Sequence, residues 1–291
     1  MDGELAPRPS VAEVLELHEP AGHRLPLVLA SPHSGSDYPA DLIAASRLEP
    51  MALRQSEDSF VDELFAAAPQ LGAPLLSARF PRAYLDVNRE AYELDPTMFS
   101  DALPSFVNVV SPRVRIGLGT IARIVANGEE IYAEKLRFAD AERRIDRFYH
   151  PYHQMLRRLL QETEGIFGGY LLVDCHSMPS TSGCGRGADI VLGDCYGAAC
   201  APRILEVANR FLVGRGFNVA INAPYAGGFT TGFYGRPSAH HHALQIEINR
   251  SLYMDERSYR RTPDFGRLVE DLADLIERLG QITPDCLPKT G

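Results

Sequence analysis

Four apolar residues, Leu27-Val-Leu-Ala30, run without a break into Ser31-Pro-His-Ser-Gly35. No other feature narrows the possible folds as much. A short apolar run closed by turn residues reads as a buried strand. Pro32 cannot donate to a ladder and Gly35 permits a tight turn, so the strand stops with His33 at its carboxyl end. Open α/β sheets place their ligands at that end. The pattern returns in Gly169-Tyr-Leu-Leu-Val-Asp-Cys-His-Ser-Met-Pro179, where His176 and Ser177 follow the apolar run. A third run, Ala243-Leu-Gln-Ile-Glu-Ile-Asn-Arg250, sets Glu247 among apolar neighbours. Two strand-end histidines and a carboxylate are the donor types of a zinc hydrolase.

The other segments alternate between strand and helix. Residues 1–24 read as an irregular lead-in, with a short helix or strand near Val11 to Leu17, and Leu25–Ala30 is the first core strand. Asp41–Arg47 reads as a short helix. Met51–Ala68 reads as a longer one, with Leu53, Phe60, Val61, Leu64 and Phe65 at helical spacing. Leu75–Phe80 and Tyr84–Val87 are strand candidates, and Asp95–Val114 is a long loop rich in Pro, Ser and Asn. Gly117–Gly128 suits a strand pair. Ile131–Glu164 has the clearest helical pattern, which Pro151 splits or starts. Strands are expected at Tyr170–Asp174, Asp189–Leu192, Val219–Asn222 and Ala243–Ile248, and helices at Ala201–Gly214 and Pro263–Leu279. Ser180–Gly187 is a Gly/Ser/Thr loop. The order predicts an α/β fold: one three-layer α/β/α domain over residues 1–291 with a mixed, mainly parallel sheet.

Charge excludes one class of function. A formal net charge of -9 argues against a general nucleic-acid binder, which needs basic excess. No apolar run approaches the roughly 18 residues that a membrane helix needs. The amino-terminal Met1-Asp-Gly-Glu-Leu-Ala-Pro-Arg8 is acidic and lacks a signal-peptide core, so the expected location is the cytoplasm. Five cysteines, an odd count without a C-x-x-C pair, argue against a disulfide framework. Cys175 is a conceivable nucleophile beside His176, but adjacent strand residues face opposite ways.

A catalytic zinc site takes three protein ligands and keeps one open position. His33 and His176 are the first two candidates, and the Glu57-Asp58 pair offers the third, from either residue. Strand alternation puts Gln245 and Glu247 on one face. A buried carboxylate there is either paired with a cation such as Arg250 or held as a general base. Arg82 and Arg89 follow strand-like segments, and a guanidinium can grip an acidic substrate bidentately or form a structural pair with Asp86. The loop around Gly228 and Thr230 either wraps a substrate through backbone donors or is an ordinary turn. His240-His241-His242 alternates faces and reads as surface or turn.

The sequence resembles the N-formylglutamate amidohydrolases. The matching pieces are Ser31-Pro-His-Ser-Gly35, Glu57-Asp58, Arg79-Phe-Pro-Arg-Ala-Tyr-Leu-Asp-Val-Asn-Arg89, Asp174-Cys-His-Ser-Met-Pro179, Ala188-Asp-Ile-Val-Leu-Gly193, Pro224-Tyr-Ala-Gly-Gly228 and Gln245-Ile-Glu-Ile-Asn-Arg250. They are specific as a set and weak singly. The family is similar in turn to zinc carboxypeptidases and aspartoacylase-like enzymes. The resemblance implies a zinc-carboxypeptidase-like fold and Zn2+, or another divalent metal, held by His33, Asp58 and His176. Asp58 is preferred over Glu57 because that family turn more regularly carries Asp. Glu247 would be the base, and Asn88 and Arg89 would match a carboxylate-binding pair. The implied reaction is hydrolysis of a small acidic N-acyl amino acid, N-formyl-L-glutamate first, as in histidine catabolism. A relative acting on another acyl group and a metal-free binder of acidic molecules are the alternatives. Oligomeric state is not legible.

Overall fold

The computed structural model describes residues 11–180 and 187–283. Most of the loop expected over Ser180–Gly187 lies outside the described residues, as do Cys184, Cys286 and the lead-in before Val11. Among the described residues, one compact unit gathers those up to Glu16 with Ser36–Glu57 and Ala78–Met155. The other gathers Leu17–Gly35, Asp58–Ser77 and the described residues from Leu156 onward.

The second unit carries most of a seven-stranded sheet. Its strands are β1 (Leu15–His18), β2 (Leu27–Ser31), β3 (Leu75–Ala78), β4 (Tyr170–Met178), β5 (Ile190–Gly193), β6 (Val219–Ile221) and β7 (His241–Asn249). They lie in the order β1-β3-β2-β4-β7-β5-β6. The β2–β3, β2–β4, β4–β7 and β5–β6 pairs are parallel. β5 runs antiparallel to β7. The sheet is therefore mixed and mainly parallel, and helices flank it, as the alternating pattern predicts.

Alternation sorts the central strands by face. Leu27, Leu29, Leu171, Val173, Cys175, Leu244, Ile246 and Ile248 join the main apolar core. Helices α2 (Pro202–Gly214) and α4 (Phe265–Ile282) close that side with Ile204, Ala208, Leu212, Leu268, Leu272, Leu275 and Leu279. The other face of β4 and β7 carries Asp174, His176, Gln245 and Glu247, all buried. Helix α3 (Phe229–Tyr234) reaches this polar face, giving the Thr231 hydroxyl to Asp174. Among the described residues, no helix is long and apolar enough to cross a membrane.

Four sequence expectations change. Met51–Ala68 is not one helix. It breaks into Pro50–Leu53, a tight turn over Arg54–Ser56, and short helices at Val61–Leu64 and Ala68–Leu71. A continuous helix would send the Asp58 N–H to the carbonyl of Arg54. The Glu57 N–H takes that carbonyl and the Asp58 N–H bonds to His33 O at 3.0 Å. Phe60 then turns the chain with a φ of 67°. Tyr84–Val87 forms no strand: the Tyr84 N–H closes a turn on Pro81 O at 2.9 Å and the Asp86 N–H bonds to Thr120 O at 2.8 Å. Gly117–Gly128 forms no ladder; isolated bridges join Leu118 to Ala122 and Ile124 to Glu130. The pattern at Ile131–Glu164 becomes helical only at Phe138. Pro151, which has no N–H, lies inside helix α1 (His150–Phe167), just after a wide turn over Ile145–Tyr149. There the His150 N–H bonds five residues back to Ile145 O, and such a turn accommodates a proline without breaking the helix.

Candidate metal centre

β2 and β4 are parallel neighbours, so their carboxyl ends lie at one edge of the sheet. His33 follows β2 and His176 lies near the end of β4, and their rings sit 4.8 Å apart. The break in the expected helix delivers Asp58 to the same place. One donor atom each from His33, Asp58 and His176 lie within 4.8 Å of one another, and all three residues are buried. Asp58 Oδ2 is 3.1 Å from His176 Nδ1 and 3.5 Å from His33 Nδ1. Glu57 belongs elsewhere: it accepts from Tyr38 at 2.6 Å and pairs with Arg54 at 3.1 Å.

A second layer fixes these donors. His176 Nε2 donates to Asp174 Oδ1 at 2.9 Å, and the Thr231 hydroxyl donates to Asp174 Oδ2 at 2.9 Å. Arg250 Nη2 donates to Asp58 Oδ1 at 3.1 Å, and its Nε to Ser177 Oγ at 3.2 Å. Arg250, a candidate cation for Glu247, thus has Asp58 among its partners. Burial opposes charge on Asp58, but hydrogen bonds from His176 and His33 and the nearby Arg250 outweigh it and hold the carboxyl well below its usual range. Burial likewise opposes a charged His176, yet Asp174 and Asp58 raise its pKa well above the usual imidazole value.

These residues suit a divalent ion. Two imidazoles and one carboxylate form a catalytic zinc donor set. The Asp174 carboxylate behind His176 Nε2 is the second-layer partner that metal-binding histidines need, and it leaves Nδ1 to face Asp58. A proton on His176 would compete with a metal ion for the ring nitrogen, and Asp174 and Asp58 favour that proton. Apparent affinity should therefore weaken as pH falls, and binding should release protons. Calorimetric titration with Zn2+ in buffers of different protonation enthalpy measures this. Pure metal binding with no buffer dependence would contradict it.

Glu247 lies on β7 with its Cα in register with that of His176. Gln245 Nε2 donates to Glu247 Oε1 at 2.9 Å, and the Gly228 N–H donates to Gln245 Oε1 at 2.7 Å. In the loop expected either to wrap a substrate or to be an ordinary turn, the Gly228 N–H is bonded to Gln245 and Thr230 is fully buried. Cys175 points into the apolar core on the opposite face, where burial pushes its thiol pKa well up. That removes the physical basis for a thiolate nucleophile.

In the other unit, Asp86 gathers the arginines. Its Oδ2 accepts from Arg82 Nη2 at 2.7 Å and lies 3.5 Å from Arg89 Nη2. Arg89 also donates from Nε to Leu118 O at 2.9 Å and from Nη1 to Asn88 O at 2.7 Å. The Tyr149 hydroxyl donates to Arg89 O at 2.8 Å, and His153 Nε2 lies 2.9 Å from Val87 O. Burial lowers the Arg89 pKa to about 10 against the pull of Asp86, so the guanidinium stays charged at neutral pH.

Residues 25–254 match the model of the N-formylglutamate amidohydrolase family. The chain belongs to this family. A crystal structure of N-formylglutamate amidohydrolase from Ralstonia eutropha JMP134 is 37% identical, with a TM-score of 0.88 over 93% of this chain and 98% of that one. N-formylglutamate deformylase of Pseudomonas putida is 29% identical over 84% of this chain and 86% of its own length. The deformylase of Pseudomonas aeruginosa is 29% identical over 81% and 84%. A gene product of Agrobacterium tumefaciens shares the fold at 17% identity, with a TM-score of 0.66.

Within this family frame, the sequence reading missed the second layer. Asp174 precedes His176 by two residues on a strand, so period-two alternation already puts both on one face. Thr231 carries no such local signal; its role depends on where α3 packs.

Proposed function

We propose that the chain is a metal-dependent amidohydrolase, zinc by preference, that converts N-formyl-L-glutamate and water to formate and L-glutamate. The observation that carries this is the buried His33–Asp58–His176 group, backed by Asp174, with Glu247 on the adjoining strand. The names of the similar deformylases and of the Ralstonia amidohydrolase support the substrate. A divalent ion bound there would polarise the formyl carbonyl and make a water nucleophilic near neutral pH.

His33, Asp58 and His176 would hold it. Glu247 takes a proton from the attacking water and returns it to the departing amine nitrogen, so the amide C–N bond breaks as formate forms. Asn88, Arg89 and Arg82 hold substrate carboxylate, with Arg89 anchored by its bonds to Leu118 and Asn88. Gly228 and Thr230 act as support, through the bonded loop that reaches Gln245.

Metal content and formate release from N-formyl-L-glutamate, before and after chelation, test this. About one zinc per chain with chelator-sensitive release is expected. Bound metal with release only from other N-formyl or N-acetyl amino acids would replace the substrate. No metal after reconstitution would overturn the mechanism in favour of a metal-free binder.

A further inference from the structure

The amide of Gln245 has a fixed orientation. Its Oε1 receives the Gly228 backbone N–H at 2.7 Å and lies 3.5 Å from the Thr231 hydroxyl. A backbone N–H can only donate, so the oxygen must face the loop and the NH2 must face Glu247, whose Oε1 it reaches at 2.9 Å. Gln245 is buried and sits two residues from Glu247 on one face of β7. Its Cα is in register with that of Asp174, and Thr231 bonds Asp174 as well. One short segment, Gly228 to Thr231, thus braces both Gln245 and the carboxylate behind His176.

We infer that Gln245 is a positioning residue for the hydrolytic reaction: locked by Gly228, it donates to one oxygen of Glu247 and so fixes the orientation of that carboxylate. The inference rests on the reading of Glu247 as the base. The donated bond occupies Oε1 and limits rotation of the carboxylate about its last torsion. Proton transfer needs hydrogen-bond geometry, so a carboxylate free to turn would give a lower kcat with little change in substrate binding.

Two substitutions separate this from simple packing. Gln245→Glu keeps the size and an oxygen for Gly228, but it sets a second oxygen against Glu247. A packing role predicts near wild-type behaviour from Q245E. Positioning predicts that kcat for N-formyl-L-glutamate falls by about 10- to 100-fold, while KM stays within about twofold and metal content is unchanged. Exchanging the two residues, Q245E with E247Q, restores a donor facing an acceptor. The exchange should recover most of the thermal midpoint of the metal-free protein, which Q245E alone lowers by roughly 3–6 °C. That second readout needs no activity, so it tests the bond even if wild-type protein does not hydrolyse N-formyl-L-glutamate. Lost midpoint without recovery in the exchange would overturn the donor–acceptor assignment. Wild-type kcat in Q245E, with the wild-type enzyme active, would overturn the positioning role and leave the proposed function standing.

Discussion

Glu247→Gln lowers the rate of N-formyl-L-glutamate hydrolysis by about 10²- to 10⁴-fold, the range a general base supplies, while the protein keeps its metal and its fold. The replacement is close to isosteric. The new amide oxygen can accept the Gln245 NH2 as the carboxylate oxygen does, at a site now separated by 2.9 Å. What disappears is a group able to take a proton from water and hand it on. His33, Asp58 and His176 are untouched, so metal stoichiometry should match the wild type. KM should move little, because carboxylate binding is proposed for Asn88, Arg89 and Arg82. Formate release under saturating substrate, with metal analysis on the same sample, measures the outcome. A variant with more than a tenth of wild-type kcat would remove Glu247 from the base role.

Asp58→Ala should have the largest effect on the molecule itself. Asp58 meets His176, His33 and Arg250 at once, and all four are buried. Removing its carboxylate deletes one of the three proposed metal donors. It also leaves the Arg250 guanidinium buried without that partner, and breaking a buried pair from one side costs about 3–5 kcal/mol. Urea unfolding of the metal-free proteins should show a loss of that size, and the variant should not retain zinc through gel filtration. Adding Arg250→Met should return part of the lost stability, because the stranded charge goes with it. If metal-free Asp58→Ala unfolds within 1 kcal/mol of wild type, the cluster is not the electrostatic unit described here.

The two predictions test different layers of one site, and the sequence revealed those layers unequally. The histidines were legible because their signal is local. An apolar run ending in Ser-Pro-His or Asp-Cys-His marks the carboxyl end of a strand, and a parallel sheet brings such ends to one edge. Glu247 was legible for a similar reason: alternation in Leu244-Gln-Ile-Glu-Ile248 fixes its face with Gln245.

The choice between Glu57 and Asp58 was not local. They are adjacent, equally acidic and set in an apparently helical pattern. Asp58 joins the histidines because its backbone N–H pairs with His33 O across a long span of chain, and the helix breaks to allow it. Helical periodicity records which residues are buried, and Leu53, Val61, Leu64 and Phe65 are buried as that pattern requires. It does not record which backbone donors a distant carbonyl captures. The partner of Arg250 was hidden for the same reason, since Asp58 lies 192 positions away. By itself, then, the sequence determined the sheet, the edge and the histidine pair. Only the tertiary structure decided which carboxylate meets them and which side chains hold each donor in place, because those pairings are long-range hydrogen bonds with no periodic trace in the chain.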